Sequence, residues 1–517
     1  MLNRIKTLMR KILTTGLCSL MCCMLAFAQQ PTSFPAFPPA DVNNETDYYQ
    51  MLNQLGITIP TLPDTDNDPN RPASLVPVPG KPGKWQAPGG GERNRSPWGL
   101  WTNYDDAETG FFPGPDSARV GKYTPISLVN GPDGRKVTSG EAWDRTVRPV
   151  IVEAVQQELY GKMPGKDNSP KVVFTKTDYV APQGPMGMGF GMGMGMGRPQ
   201  AAGQEAPPAY PSKMYTITGE VDCSGYPEVR NKPVISATLR LPAEVTKPVP
   251  VMIVIGWSFM SETYWQMAAP HGWGICMFDP NTVQPDNGAG LTSYLIGLIN
   301  KGNWRKPDDI GSIGAWAWGI SRLIDFLETI PEVNSKAIGL SGHSRYGKAT
   351  LFTAAFEPRI AIAFPSDAGS LGTKTNRRHW GQDLEMSATP SEYHWMAGNF
   401  FKFCGPLTPG QYLPRNIEKA TVDAHSLLAL CAPRPVFING GTTSQWSDPY
   451  GMFLTARDAS PVYELKGVKG LVMDDPKPVI DKAYIEGNIG FRYHEGGHTD
   501  TPDWPSFFEF AEKHLGL

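Results

Sequence analysis

Apolar positions recur along this chain at two spacings, and the change between them divides it. From residue 29 to about 145 neither period is sustained. Pro, Gly, Asn and Asp are dense there, in stretches such as PVPGKPGKWQAPGGGERNRSPWG that favour turns over regular elements. Residues 29–145 are therefore expected to form a Pro/Gly-rich extension or wrapping arm. A helix is predicted over 148–160, where Val150, Val152, Ala154, Val155 and Leu159 are apolar and YGKMPG stops it. Val, Thr and Tyr then mark two strands, 171–180 and 214–221. Between them lies PMGMGFGMGMGMG, residues 185–197. Its thioethers could bind Cu(I), but alternating glycine removes both helix propensity and packing side chains, so a flexible surface insertion is the simpler reading.

From Pro233 onward, strands alternate with helices. Val251–Ile255, 337–340, 360–364 and 436–438 read as short buried strands. Helices are predicted over 315–329, with Trp316, Ile320, Leu323, Ile324 and Leu327 on one face, over 347–356 and near 504–514. Such alternation predicts an α/β fold, a mostly parallel sheet covered by helices. With the elements just before it, this unit is expected to span 146–517.

Composition narrows the function. At 517 residues with 40% hydrophobic and 19% charged residues there is ample core, and a net charge of -3 lacks the basic excess of nucleic-acid binders. Arg4, Lys6, Arg10 and Lys11, the apolar run Ile12–Leu25 and Ala26-Phe27-Ala28 read as a signal peptide over 1–28. A secreted or periplasmic protein is expected, without membrane attachment once the signal is removed, and a monomer. Cys18, Cys22 and Cys23 lie inside the signal and lack a well-formed lipobox. Among Cys223, Cys276, Cys404 and Cys431, export permits disulfides, but free buried thiols are the simpler reading for a large core.

The segment AIGLSGHSRYGKATLFTAAF reads as strand, tight turn and helix with Ser344 at the apex, the context of a nucleophile elbow. Its spacing departs from G-x-S-x-G, since Tyr346 stands where the second glycine would be and Gly347 follows. A serine hydroxyl needs a base, and the base an orienting acid. Late in the chain His494 and His498 both qualify. The string His494-Glu495-Gly496-Gly497-His498 also matches the zinc-protease motif H-E-x-x-H, which works only on a helix. Two interior glycines would cost such a helix about 1 kcal/mol each, and no third ligand stands at a familiar offset. A turn presenting His498 is favoured, with no metal and no cofactor.

GHSRYGK, IGAWAWGISRLIDFLE, LCAPRPVFINGG, QWSDPYGMF, YHEGGHTDTPDW and the earlier LYGKMPG together resemble the glucuronoyl esterase family, carbohydrate esterase family 15, in its bacterial branch, over about residues 145–517. The resemblance implies an α/β-hydrolase three-layer sandwich that cleaves esters between the 4-O-methyl-glucuronic acid of glucuronoxylan and lignin alcohols without a metal. It assigns the nucleophile to Ser344, oxyanion binding to Arg345, a sugar contact to Lys348, the base to His498 and a uronate contact to Trp446. The acid departs from the family's pattern. Where many members carry Glu, this chain has Ser366-Asp367-Ala368-Gly369-Ser370, so Asp367 is favoured, with Asp448 in GTTSQWSDP as the alternative. The following SLGTKTNRRHWGQDLEMS also differs from the family's usual run. An acetyl xylan or feruloyl esterase on the same scaffold, and a non-catalytic carbohydrate-binding relative, are the competing readings. Retention of Ser344, Arg345, Lys348 and His498 argues against the last.

Overall fold

The computed structural model describes residues 30–59, 61–87, 90–93, 95–101, 123–165, 169–180, 210–405 and 416–516. The predicted signal segment 1–28 and the Met/Gly insertion 185–197 lie outside them. Three short strands in the N-terminal arm, β1 (Val76–Pro77), β2 (Trp85–Ala87) and β3 (Gly90–Arg93), form a small antiparallel sheet. The main sheet comprises β4 (Val172–Asp178), β5 (Ser212–Val221), β6 (Val234–Pro242), β7 (Val249–Ile255), β8 (Gly274–Asp279), β9 (Val333–His343), β10 (Ile362–Ser366), β11 (Val436–Gly441), β12 (Ala483–Tyr484) and β13 (Ile489–His494). Its order is β12-β13-β11-β10-β9-β7-β8-β6-β5-β4. Six strands, β8, β7, β9, β10, β11 and β13, run parallel. The antiparallel meander β4-β5-β6 closes one edge and β12 the other. This is the α/β-hydrolase fold.

The apolar run of β7 explains its place at the centre. Val251 through Ile255 are buried to a residue, as a parallel strand covered on both faces requires. Helices α1 (Asn44–Gln54), α2 (Ser312–Leu327), α3 (Arg345–Phe356), α4 (Pro449–Leu465) and α5 (Trp504–Leu515) include the main covering elements. The buried face of α2 carries Ile313, Trp316, Ile320, Leu323, Ile324 and Leu327, the periodicity read from the sequence. The helix predicted over 148–160 is α-helical to Ala154 and continues as a π-helical turn to Tyr160. That turn sends the Tyr160 hydroxyl to Leu371 O, 2.5 Å away, and stacks the ring on Phe352.

The arm is more regular than its composition suggests. Helix α1 is capped by Asn43, whose side chain accepts from the Thr46 N–H. Its Tyr48, Met51 and Leu52 belong to the same hydrophobic core as the sheet. Cys223, Cys276, Cys404 and Cys431 are all buried free thiols, and burial pushes the Cys276 thiol up to about 12.

Candidate active site

Ser344 stands between β9 and α3 with φ 59° and ψ −123°, a conformation a non-glycine residue keeps only where its surroundings impose it. Two glycines make the turn possible. A Cβ on Gly342 would lie 2.5 Å from Tyr346 O, and one on Gly347 would lie 2.6 Å from Ser366 O. The elbow is pinned by the Ser344 N–H to Ser366 O, 2.9 Å, and the Gly347 N–H to Ser344 O, 2.8 Å. Hence the shifted glycine spacing: the position that meets β10 is Gly347. Tyr346 instead turns into the core, edge-on to Trp257 and Trp316. The half-buried serine therefore sits at the positive end of α3.

Asp367 follows β10, fully buried and at φ 40°. Its N–H donates to Asn439 Oδ1 at 2.9 Å, its Oδ1 accepts from Ser447 Oγ, and its Oδ2 lies 2.8 Å from His498 Nδ1. Burial alone would raise this carboxyl, but the His498 bond and charge, with His343 and Ser447, outweigh it and hold the group below its ordinary value. A carboxylate on Nδ1 fixes the tautomer, leaving Nε2 to accept a proton. Ser444 Oγ is 3.2 Å from the same Nδ1. The His498 ring packs 4.3 Å from that of His343, the residue before the elbow serine, and 5.9 Å from that of Trp446.

The HEGGH string forms a strand end and a turn: β13 stops at His494 and Gly496 adopts φ 132°. His494 is buried, its Nδ1 2.8 Å from Asp503 Oδ2 and its Nε2 3.0 Å from Gly497 O. Burial would depress its pKa, but Asp503 reverses the direction and raises it. The two histidines thus serve separate carboxylates. Among the described residues no three His, Cys, Asp or Glu side chains gather as metal ligands would.

Asp448 goes elsewhere. It is fully buried, pairs with Arg378 and caps α4 through the Gly451 N–H at 2.9 Å. The structure brings Asp367, and not Asp448, to His498.

Lys348 also departs from the sugar contact the resemblance implies. It is 3% exposed, and its Nζ donates to Ala368 O and Ser370 O, both at 2.5 Å, and to Gln382 Oε1 at 3.3 Å. All three protons of an ammonium are thereby spent on the loop that follows Asp367. Burial pushes its pKa down to about 7. Arg345 lies half-exposed at the start of α3, paired through Nη1 with Asp286 Oδ2 at 2.7 Å and 5.3 Å above the Trp395 ring. Trp446 is held by its backbone, whose carbonyl accepts from the Gln382 N–H at 2.5 Å, while its half-buried ring faces His498.

Sequence reasoning did not find Asp286, Gln382, Glu392 or Trp395, which surround Arg345 and Lys348. Gln382 Nε2 reaches Glu392 Oε2 at 3.3 Å, and the Trp395 indole donates to Asp286 Oδ1 at 2.6 Å. Gln382 and Trp395 both stand between β10 and β11, Gln382 within the stretch that departs from the family's pattern and Trp395 beyond it, and no spacing rule marks them.

Several known proteins are similar to this chain. The family model described as "Glucuronyl esterase, fungi" matches residues 228–467. "Carbohydrate esterase MZ0003", from an unknown prokaryotic organism, is 28% identical over 431 residues, 77% of this chain and 91% of that protein. A 4-O-methyl-glucuronoyl methylesterase of Wolfiporia cocos is 28% identical over 240 residues, and the chain spans only 56% of that fungal relative's length. The solved glucuronoyl esterase of Teredinibacter turnerae superposes with TM-score 0.65 at 29% identity, over 91% of this chain and all of the other. The superposition uses the whole of a bacterial glucuronoyl esterase and the family model lies across the elbow and the loop of Trp446, so over its catalytic unit the chain is similar to glucuronoyl esterases, bacterial members among them.

Proposed function

We propose that the chain hydrolyses esters of glucuronic acid, including its 4-O-methyl form, as they occur in glucuronoxylan bonded to lignin alcohols. The observation that carries the chemistry is the His498–Asp367 pair, 2.8 Å apart, with the His498 ring packed on His343, the residue before a serine held in a strained elbow. Ser344 Oγ attacks the ester carbonyl while His498 Nε2 takes its proton. The imidazolium, stabilised by Asp367, returns that proton to the departing alcohol. Water then cleaves the acyl-enzyme by the same route in reverse. Arg345, one residue past the nucleophile, donates to the oxyanion beside backbone N–H groups at the start of α3. The Trp446 ring covers one side of the uronate.

The substrate class rests on the relatives' names, since the described scaffold would accept other acyl groups. Export belongs to the same proposal, supported by the charged, apolar and A-x-A parts of residues 1–28. No described helix is long and apolar enough to cross a membrane. Purified protein assayed on benzyl glucuronate against p-nitrophenyl acetate tests the reading. Preference for the glucuronate ester, abolished in Ser344→Ala, is expected; preference for acetate would favour an acetyl esterase instead.

A further inference from the structure

Arg345 carries a long side chain with many rotamers, yet the reaction needs its guanidinium in one place, and something must hold it. The loop after β8 supplies the holder. Asp286 is 15% exposed and is met from three sides: Arg345 Nη1 at 2.7 Å on Oδ2, and His394 Nε2 at 2.9 Å and the Trp395 indole N–H at 2.6 Å on Oδ1. Burial lowers the pKa of His394. Arg345 is the cation on Oδ2, while the His394 ring and the Trp395 indole donate to Oδ1. The carboxyl is accordingly held well below its usual range, since His394, Arg345 and Trp395 together outweigh the burial that would raise it.

The aspartate itself is fixed. Its N–H donates to Asn281 Oδ1 at 3.1 Å. Two residues before it, fully buried Gln284 accepts from the Trp316 indole N–H at its carbonyl, 2.7 Å, and from the Ile296 N–H at its side chain, 3.1 Å. The loop is thus tied to α2 and to the segment that follows it in the chain. A second restraint acts on the same guanidinium, because the Trp395 ring that donates to Asp286 also lies 5.3 Å beneath it. One carboxylate therefore fixes both the arginine and the plane it rests on.

We propose that Asp286 is a positioning residue for catalysis, aiming Arg345 so that its remaining N–H groups meet the carbonyl oxygen as negative charge develops there. The inference rests on the esterase reading above. Because it concerns the oxyanion and not the acyl group, it applies to any ester the enzyme cleaves. Preorganisation of this kind acts on kcat, since the interaction it serves strengthens only in the transition state.

The test is a double-mutant cycle of Asp286→Asn with Arg345→Ala, reading kcat and KM on benzyl glucuronate and on p-nitrophenyl acetate, with thermal melting of each variant. Asparagine keeps an acceptor for His394 and Trp395 but loses the charge that holds the arginine. Asp286→Asn is expected to lower kcat by about 10- to 100-fold, within the loss typical of removing an oxyanion donor, with KM changed less than about threefold. In the Arg345→Ala background the same change should cost less than about twofold, because the partner it acts through is gone. Asp286→Glu, which keeps the charge, should regain most of the lost kcat. If the asparagine variant does not fold, Asp286→Gln, which also lacks the charge, takes its place in the cycle. Losses that multiply in the double variant, or a glutamate variant as slow as the asparagine one, would overturn the proposal. If the wild type cleaves only the acetate, the glucuronate reading fails while the cycle on acetate still decides the role of Asp286. Inertness to both esters removes the reaction and the proposal together.

Discussion

Replacing Lys348 by methionine separates two roles that the residue's position next to the elbow leaves confounded. Methionine fills a similar volume in this buried site and removes the ammonium. The change deletes donors to Ala368 O and Ser370 O at 2.5 Å and to Gln382 at 3.3 Å. Each charge-assisted bond contributes about 1.5–3 kcal/mol, so the loss is a few kcal/mol. The wild type, however, pays to keep a cation buried, as the drop of the Lys348 pKa to about 7 records. The two effects largely offset near neutral pH, and the melting temperature should fall by only a few degrees. The sign with pH follows. The folded pKa lies below the unfolded one, so wild-type stability declines as pH falls from about 10.5 to about 7, whereas the methionine variant lacks this dependence. The variant's deficit should therefore be larger at pH 10 than at pH 7.

Catalysis should respond more sharply than stability. Ala368 and Ser370 flank the backbone leaving Asp367, and a shift of about 1 Å in a catalytic group can cost about 10²-fold. Lys348→Met is therefore expected to lower kcat about 100-fold on benzyl glucuronate and on p-nitrophenyl acetate alike, because both reactions use the same His498–Asp367 pair. A loss above tenfold on the glucuronate ester, with the acetate ester within twofold of wild type, would refute the clamp and return Lys348 to direct sugar contact.

Ser344→Ala should lower kcat by about 10⁴ or more with unchanged circular dichroism, since triad members act as a unit. His498→Ala should match it, while His494→Ala should mainly lower the melting temperature, having lost the Asp503 bridge; EDTA should change neither. Asp367→Asn should cost about 10⁴ in kcat by removing the charge that fixes the imidazole. Asp448→Asn should cost stability of about 3–5 kcal/mol through the stranded Arg378, with turnover of the folded fraction retained. Glu385 is fully buried, and burial, with Asp383 nearby, raises its pKa to about 8. Wild-type stability should accordingly fall as pH rises from about 4.5 to about 8, and Glu385→Gln should melt higher than wild type at pH 8 but not at pH 4; equal melting at both values would refute the shift.

Local chemistry was legible where it was continuous in the chain. The elbow, α2 and the central β7 all declared themselves by glycine placement or by period. Strand β13 did not, because NIGFRYH mixes Gly, Arg and His in a short run, and α4 was hidden by Pro449 at its start and Pro461 inside it. Helix α1 carried a readable signal, Tyr48, Met51 and Leu52 after an Asn cap, that the surrounding Pro and Asn obscured. What stayed illegible at the site has a different cause. Lys348 lies one turn past Ser344 in any helix, but whether its ammonium meets a sugar or two carbonyls depends on a loop 20 residues further on. Asp448 sits beside Trp446 in sequence, and only the fold reveals that Arg378, 70 positions away, has taken it.

The sheet order explains why such distant residues meet at all. In a parallel sheet the carboxyl ends of all strands share one edge, so the loops that follow β8, β9, β10, β11 and β13 open on the same side. Those loops carry Asp286, Ser344, Asp367, Trp446 and His498 in turn. The long connection from β10 to β11 adds Gln382, Glu392 and Trp395, and its described residues form only short helical segments that pack against other parts of the chain. The N-terminal arm makes some of these contacts. Tyr48 Oη and the Trp98 indole both donate to Ala388 O at 2.9 Å, Tyr393 bonds buried Asp47, and Gly398 leaves room for Met51. The arm also reaches the other wall, where Asn44 Oδ1 accepts from the Ala289 N–H at 2.9 Å, three residues past Asp286. A segment that reads as an irregular appendage thus grips both loops that hold Arg345, which makes it part of the catalytic unit's architecture.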